Sequence, residues 1–123
     1  MKNSLILMGL LWIGLATIGC TDNAKNDRAR AKACSANMRV LMGAIEMYNM
    51  DYSDHPIRVL EEKMYQRGGL LLEKKLLNAP LRMPTEKCRY RSTGDLSSQK
   101  DPGIIFCNFH GSVDDLQKLF EGK

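Results

Sequence analysis

Four cysteines and two histidines are the residues of this chain that could carry chemistry. Cys107 and His110 stand three apart in "CNFH", a spacing that metal ligands use, and Cys88 is available as a third ligand. A structural zinc site takes four ligands and usually shows two such paired spacings. Only one pair is present, so no metal is expected. A nucleophilic Cys107 paired with His110 would need a free thiolate. Neither histidine lies in an H-E-x-x-H motif and there is no G-x-S-x-G, so the chain reads as non-enzymatic, with no cofactor. The adjacent acids Glu61–Glu62 and Asp114–Asp115 read as solvated helix faces.

The elements that position the cysteines follow from local pattern. "KCRYRST" alternates, with Cys88 and Tyr90 on one side and Arg89 and Arg91 on the other, as in a half-buried strand. "GIIFCNFHG" is a second strand, with Ile105, Cys107 and Phe109 on one face. The turn-rich "GDLSSQKDPG" joins them into an antiparallel hairpin over about 87–110. Cys88 and Cys107 can then meet as a disulfide closing a loop of about 20 residues, which stabilises by roughly 3 kcal/mol on the chain-entropy model. The other outcome is two buried free thiols. Cys34 falls on the apolar face of a long helix and reads as a small buried side chain.

That helix is expected over 28–51. Good helix formers dominate it, and Cys34, Met38, Leu41, Ile45 and Tyr48 recur at one-face spacing. Pro56 disfavours helix at His55. "IRVLEEKMYQRGG" reads as a second short helix stopped by Gly68, and "LLLEKKLL" as another ending near Pro80. A C-terminal helix is expected over about 112–121. It opens on Ser112 and Asp115 as a capping box, with Val113, Leu116, Leu119 and Phe120 apolar. One small α+β domain follows, a long N-terminal helix packed on an antiparallel hairpin with short extra helices.

The first residues address compartment. Lys2 precedes an apolar run from Leu5 to Ile18, of a length that suits a signal peptide over 1–19 or a membrane anchor. "TIGC" resembles a bacterial lipobox, with Gly19 before Cys20, although Thr17 stands where Leu is usual. Cys20 is then the candidate lipidated residue, and 20–27 a polar linker. Export implies an oxidising setting in which disulfides persist. The formal charge of +4 is mild. It lacks the basic stripe with interleaved aromatics of a nucleic-acid binder, so none is expected as partner.

"RARAKACSANMRVLMGAIEMYNMD", from Arg28 to Asp51, resembles the helix of type IV pilin-like and type II secretion pseudopilin-like proteins, with their "ACxxNxRxxxGAxExYxxD" pattern. "GGLLLEKKLLNAPLRMP", Cys88 with Tyr90, and the closing "CNFHG" are similar in order to the rest of that family's domain. The resemblance runs from Arg28 to about Gly111. It implies a pilin-like fold and a structural or accessory role in a pilus or secretion system at the bacterial cell envelope. The partners would be proteins of that system or further copies of the chain. Met38, Leu41, Met42, Ile45 and Tyr48 are the candidate partner-binding residues. The N-terminus departs from the family, because the first Glu is Glu46 and the polar "TDNAKND" separates the apolar run from "RAR". A stand-alone lipoprotein facing the periplasm, binding a small ligand or a partner protein, is the alternative.

Overall fold

A computed structural model describes residues 19–122, with side chains from residue 25 onward. The fold is α+β. Helix α1 spans Gly19–Asp51, a 3-10 turn spans Glu62–Tyr65, and α2 spans Leu70–Glu73. Strands β1 (Tyr90–Thr93), β2 (Ile104–Cys107) and β3 (Gly111–Ser112) follow, and α3 (Val113–Glu121) closes the chain. The signal segment and the lipidation of Cys20 concern side chains outside the described residues. The helix itself already runs from Gly19, so 20–27, expected as a linker, is helical backbone. Its polar residues carry no Pro or Gly to stop it.

The described part of α1 is exposed through residue 30 and first buries a side chain at Ala31. From there Ala31, Cys34, Met38, Leu41, Ala44, Ile45 and Tyr48 face inward. They meet Ile57, Leu60, Tyr65, Leu71, Leu77, Cys88, Tyr90, Ile105, Cys107 and Leu116 in one filled core. Four of the five residues expected to bind a partner, Met38, Leu41, Ile45 and Tyr48, are therefore core residues. Their stripe carries the bulky apolar side chains that the sheet needs to pack against. Met42 alone of the five is 39% exposed.

The second helix expected after Pro56 shrinks to the 3-10 turn. Side-chain bonds compete for the backbone that would have coiled. The Asn49 carboxamide takes the N–H of Ile57 at 2.6 Å and donates to its carbonyl at 3.0 Å. The N–H of Leu60 donates to the Ser92 hydroxyl at 2.8 Å. With both ends of 57–60 held extended, helix can begin only beyond Glu61. Gly68 then turns the chain at φ +78°. At Gly69 the backbone passes so close to the carbonyls of Lys63 and Met64 that a Cβ has no room.

The hairpin gains a third strand. The order is β1-β2-β3, all antiparallel, with Tyr90 opposite Cys107 and Cys107 opposite Gly111. Strand β2 ends at Cys107, so Phe109, expected on the buried face, is thrown outward by the turn and is exposed. Gly111 makes the return possible at φ +89°. Tyr65 pins the start of β1, accepting the N–H of Tyr90 at 3.1 Å and donating to its carbonyl at 3.3 Å. Asn37 on α1 donates to the Tyr90 hydroxyl at 3.0 Å and to the carbonyl of Arg82 at 2.9 Å. The same helix turn thus holds the strand and the connector that leads to it.

Helix α3 begins with a complete capping box. The Asp115 N–H donates to the Ser112 hydroxyl, and the Ser112 N–H and hydroxyl donate to the Asp115 carboxylate. The backbone N–H of Ser112, and then its hydroxyl, hold the Asp115 carboxyl below its ordinary pKa.

Three outcomes follow for stability. Replacing Tyr65 with Phe leaves both Tyr90 backbone groups buried without their partner, and should cost about 1–3 kcal/mol in urea unfolding. Ser112→Ala should cost about 1 kcal/mol. The depressed Asp115 carboxyl stabilises the fold above its unfolded-state pKa, and this is lost as pH falls through the lower folded value. Asp95 is depressed in the same way by Ser97, so unfolding curves followed into that acid range should show a larger loss in the natural chain than in Asp115→Asn.

Candidate metal centre

Three cysteines and a histidine from four places in the chain converge at the contact between α1 and the sheet. Cys34 comes from the inward face of α1. Cys88 comes from the turn before β1, Cys107 from the last position of β2, and His110 from the turn into β3. Their ligand atoms all lie within 4.8 Å of one another. The His110 Nδ1 is 3.4 Å from the Cys88 Sγ and 3.8 Å from the Cys107 Sγ. The cysteines are buried, with Cys34 and Cys88 at 0% and Cys107 at 1% exposure. His110 closes the outer side, half-buried, with the exposed Phe109 ring edge-on to it at 4.7 Å.

Each donor is placed by local backbone chemistry. The N–H of Cys88 donates to the carbonyl of Thr85 at 3.2 Å, closing a tight turn. That turn sets the Thr85 hydroxyl 3.3 Å from the Cys88 sulfur. Across the sheet, the N–H of Asn108 donates to the carbonyl of Arg89 at 3.0 Å, holding the start of the Cys107–His110 turn. The N–H of Phe109 then points back to the Cys107 sulfur at 3.4 Å. A backbone N–H aimed at a sulfur two residues earlier favours the thiolate over the thiol.

The four groups have unequal proton affinities. Burial pushes the Cys34 thiol well up, against a smaller lowering by the Tyr90 hydroxyl. Burial also pushes Cys107 up, but the hydrogen bonds from the His110 and Phe109 backbone and from the neighbouring thiols more than offset it, leaving it below its ordinary value. Burial lowers His110, so its imidazole is neutral at pH 7 and Nδ1 can offer a lone pair.

Cys88 and Cys107 do come together across the hairpin, as their strand positions suggested. They are free thiols, as is Cys34, and no bridge joins any two of the three. From the sequence, Cys34 stands apart as a packing residue and only three possible ligands are visible. The fourth was hidden because it sits in a helix more than fifty residues upstream of Cys88, where no short-range spacing signals a ligand. The one available sign was that Cys34 shares the inward helix stripe that must meet the strands carrying the other two.

Chemically, three sulfurs and one imidazole nitrogen in a closed cluster can hold a soft or borderline metal ion in four-coordination. Among the described residues, only the His110 side of the cluster borders a hollow, and the three cysteines are buried behind it. That hollow lies between α1 and α3, bordered by Arg28, Ala31, Leu116 and Phe120 with His110 at its edge. Arg28 and Lys32 there lie over the Phe120 ring.

Compared with known proteins, the chain matches no family model, no curated protein and no solved structure.

Thiol titration checks the state of the cysteines. In denaturant without reductant, Cys34, Cys88 and Cys107 should all react. A Cys88–Cys107 bridge would leave only Cys34.

Proposed function

We propose that this chain is a non-enzymatic, pilin-like or pseudopilin-like structural or accessory protein of the bacterial cell envelope. It acts through contacts of its long helix with a second copy of itself. In this reading the N-terminal segment exports the chain, Cys20 is its lipid attachment site, and α1 carries the folded head away from the membrane.

The observation that carries the reading is a second apolar stripe on α1, away from the core. Ala29, Ala33, Ala36, Val40, Gly43, Met47 and Met50 follow one another at alternating spacings of four and three. That is an unbroken heptad pattern, the period that packs one helix along another. Val40, Met47 and Met50 are 50%, 56% and 79% exposed. Large exposed apolar side chains lined up on one helix face mark an interaction surface. The small residues Ala29, Ala33, Ala36 and Gly43 let a second backbone approach closely. A Cβ built on Gly43 meets open space.

The charges beside the stripe favour another copy as the occupant. Lys25, Arg28, Arg30, Lys32 and Arg39 make the N-terminal half basic, whereas Glu46 and Asp51 make the end acidic. A copy displaced along the axis by about 25 Å sets basic against acidic residues on both flanks. Apolar side chains pack the core between helix and sheet, which weighs against the alternative of an organic ligand enclosed between them.

A photo-crosslinking residue at position 47, in the protein expressed in bacteria and extracted from membranes, tests the contact. The expected product is an adduct of two copies of the chain. It should be suppressed by Gly43→Arg, which leaves the fold intact. Monomer alone, or adducts unaffected by Gly43→Arg, would remove the basis of the proposal. Intact mass of the same extract should give a chain beginning at an acylated Cys20; a chain that keeps its first nineteen residues would contradict the lipoprotein assignment.

A further inference from the structure

The geometry points to a structural zinc site: Cys34, Cys88, Cys107 and His110 Nδ1 bind one zinc ion in a closed tetrahedron that joins α1 to the sheet. This does not depend on the envelope reading, because it rests only on where these four side chains stand.

The distances approach those of a coordination shell, and the widest donor pair would draw in by about 1 Å on binding. With Zn–S about 2.3 Å and Zn–N about 2.0–2.1 Å, the edges of a tetrahedron are about 3.8 Å between two sulfurs and about 3.6 Å between sulfur and nitrogen. The two sulfur–nitrogen separations here, 3.4 and 3.8 Å, bracket that value. All four donor atoms lie within 4.8 Å of one another. A disulfide needs two sulfurs at about 2.05 Å. It would use two of the four groups and leave a buried thiol beside an imidazole. The tetrahedron uses all four.

The donor set selects the metal. Three thiolates and an imidazole are a recurrent ligand combination of structural zinc, and the hard cations prefer oxygen. Four protein ligands leave no coordination position for water, and the cysteines are sealed from solvent, so the ion would hold structure and not activate a substrate.

Groups around the shell agree. The Phe109 N–H reaches the Cys107 sulfur, and the Thr85 hydroxyl lies beside the Cys88 sulfur. Both are placed to donate to a metal-bound thiolate, as outer-sphere partners do. On binding, the three thiols each release a proton and the neutral imidazole gives a lone pair. The site of one Zn²⁺ and three thiolates then carries a single negative charge.

The ion would link a helix, a turn, a strand end and a second turn that are otherwise far apart in sequence. Metal binding of this kind couples directly to folding. It would also keep three neighbouring thiols from pairing with one another in an oxidising compartment.

The test is the metal content of the full chain expressed in bacteria and purified without chelator. Elemental analysis should find one zinc per chain, retained through dialysis. It should be released in step with modification of the three thiols by a mercurial reagent. Cobalt loaded in its place should show the intense ligand-field and sulfur-to-cobalt bands of a tetrahedral thiolate site. His110→Cys should keep the zinc, since four thiolates also bind it, whereas His110→Ala should weaken retention through dialysis. Chelation by a strong zinc ligand should lower the melting temperature of the natural chain. The proposal fails if the natural chain carries iron or no metal, or if its mass is two hydrogens lighter with Cys88 and Cys107 joined. Metal content and mass are read on the natural chain, so a variant that does not fold changes neither outcome.

Discussion

The contact between Cys34 on α1 and Cys88 and Cys107 at the end of the hairpin is the junction around which the rest of the molecule is arranged. Sulfur, imidazole and the Tyr90 hydroxyl are polar or ionisable groups set in an apolar interior. Such groups are tolerated only when they satisfy one another. The neighbouring architecture serves that condition. Asn37, one turn along α1 from Cys34, holds the Tyr90 hydroxyl and the connector backbone. Tyr65 holds the Tyr90 backbone from the other side. The sheet is small, with strands of four, four and two residues, and could not bury enough surface to stand by itself. It exists because it leans on the helix at this point.

Helix α1 carries apolar residues on two faces. The inward stripe supplies the core, and the outward heptad of small and flexible residues meets nothing comparable among the described residues. A helix apolar on two separate sides is unusual on a protein surface. Under the proposed function one side folds the domain and the other meets a second copy. The polar flanks, basic early and acidic late, separate the two stripes and give the helix a direction. Residues 25–30 are exposed and add reach without adding core.

Much of the fold was legible from short-range pattern. The long helix, the hairpin strands, the turn at Gly68 and the capped C-terminal helix each follow from periodicity, β-propensity or a specific residue in a specific turn. Expectation and structure part where side chains from remote segments capture backbone groups. Asn49 and Ser92 keep 57–60 extended, and the second helix does not form. The turn after Cys107 carries Phe109 out to solvent and creates a third strand at Gly111. The helix residues expected to bind a partner are the ones the sheet requires, because a single apolar face cannot serve both.

The candidate site divides in the same way. Sequence alone determined that Cys88 and Cys107 lie in two segments that pair as a hairpin, that His110 follows Cys107 at ligand spacing, and that Cys34 is on the inward face of a helix. Each is a statement about neighbours in the chain or about one element's periodicity, and local geometry is enough to make it. Only the tertiary structure decided that these four meet at one point. That meeting depends on the axial position of α1 against the sheet. The position is set by Asn37, Tyr65 and the filled core together, and no local rule in the chain encodes it.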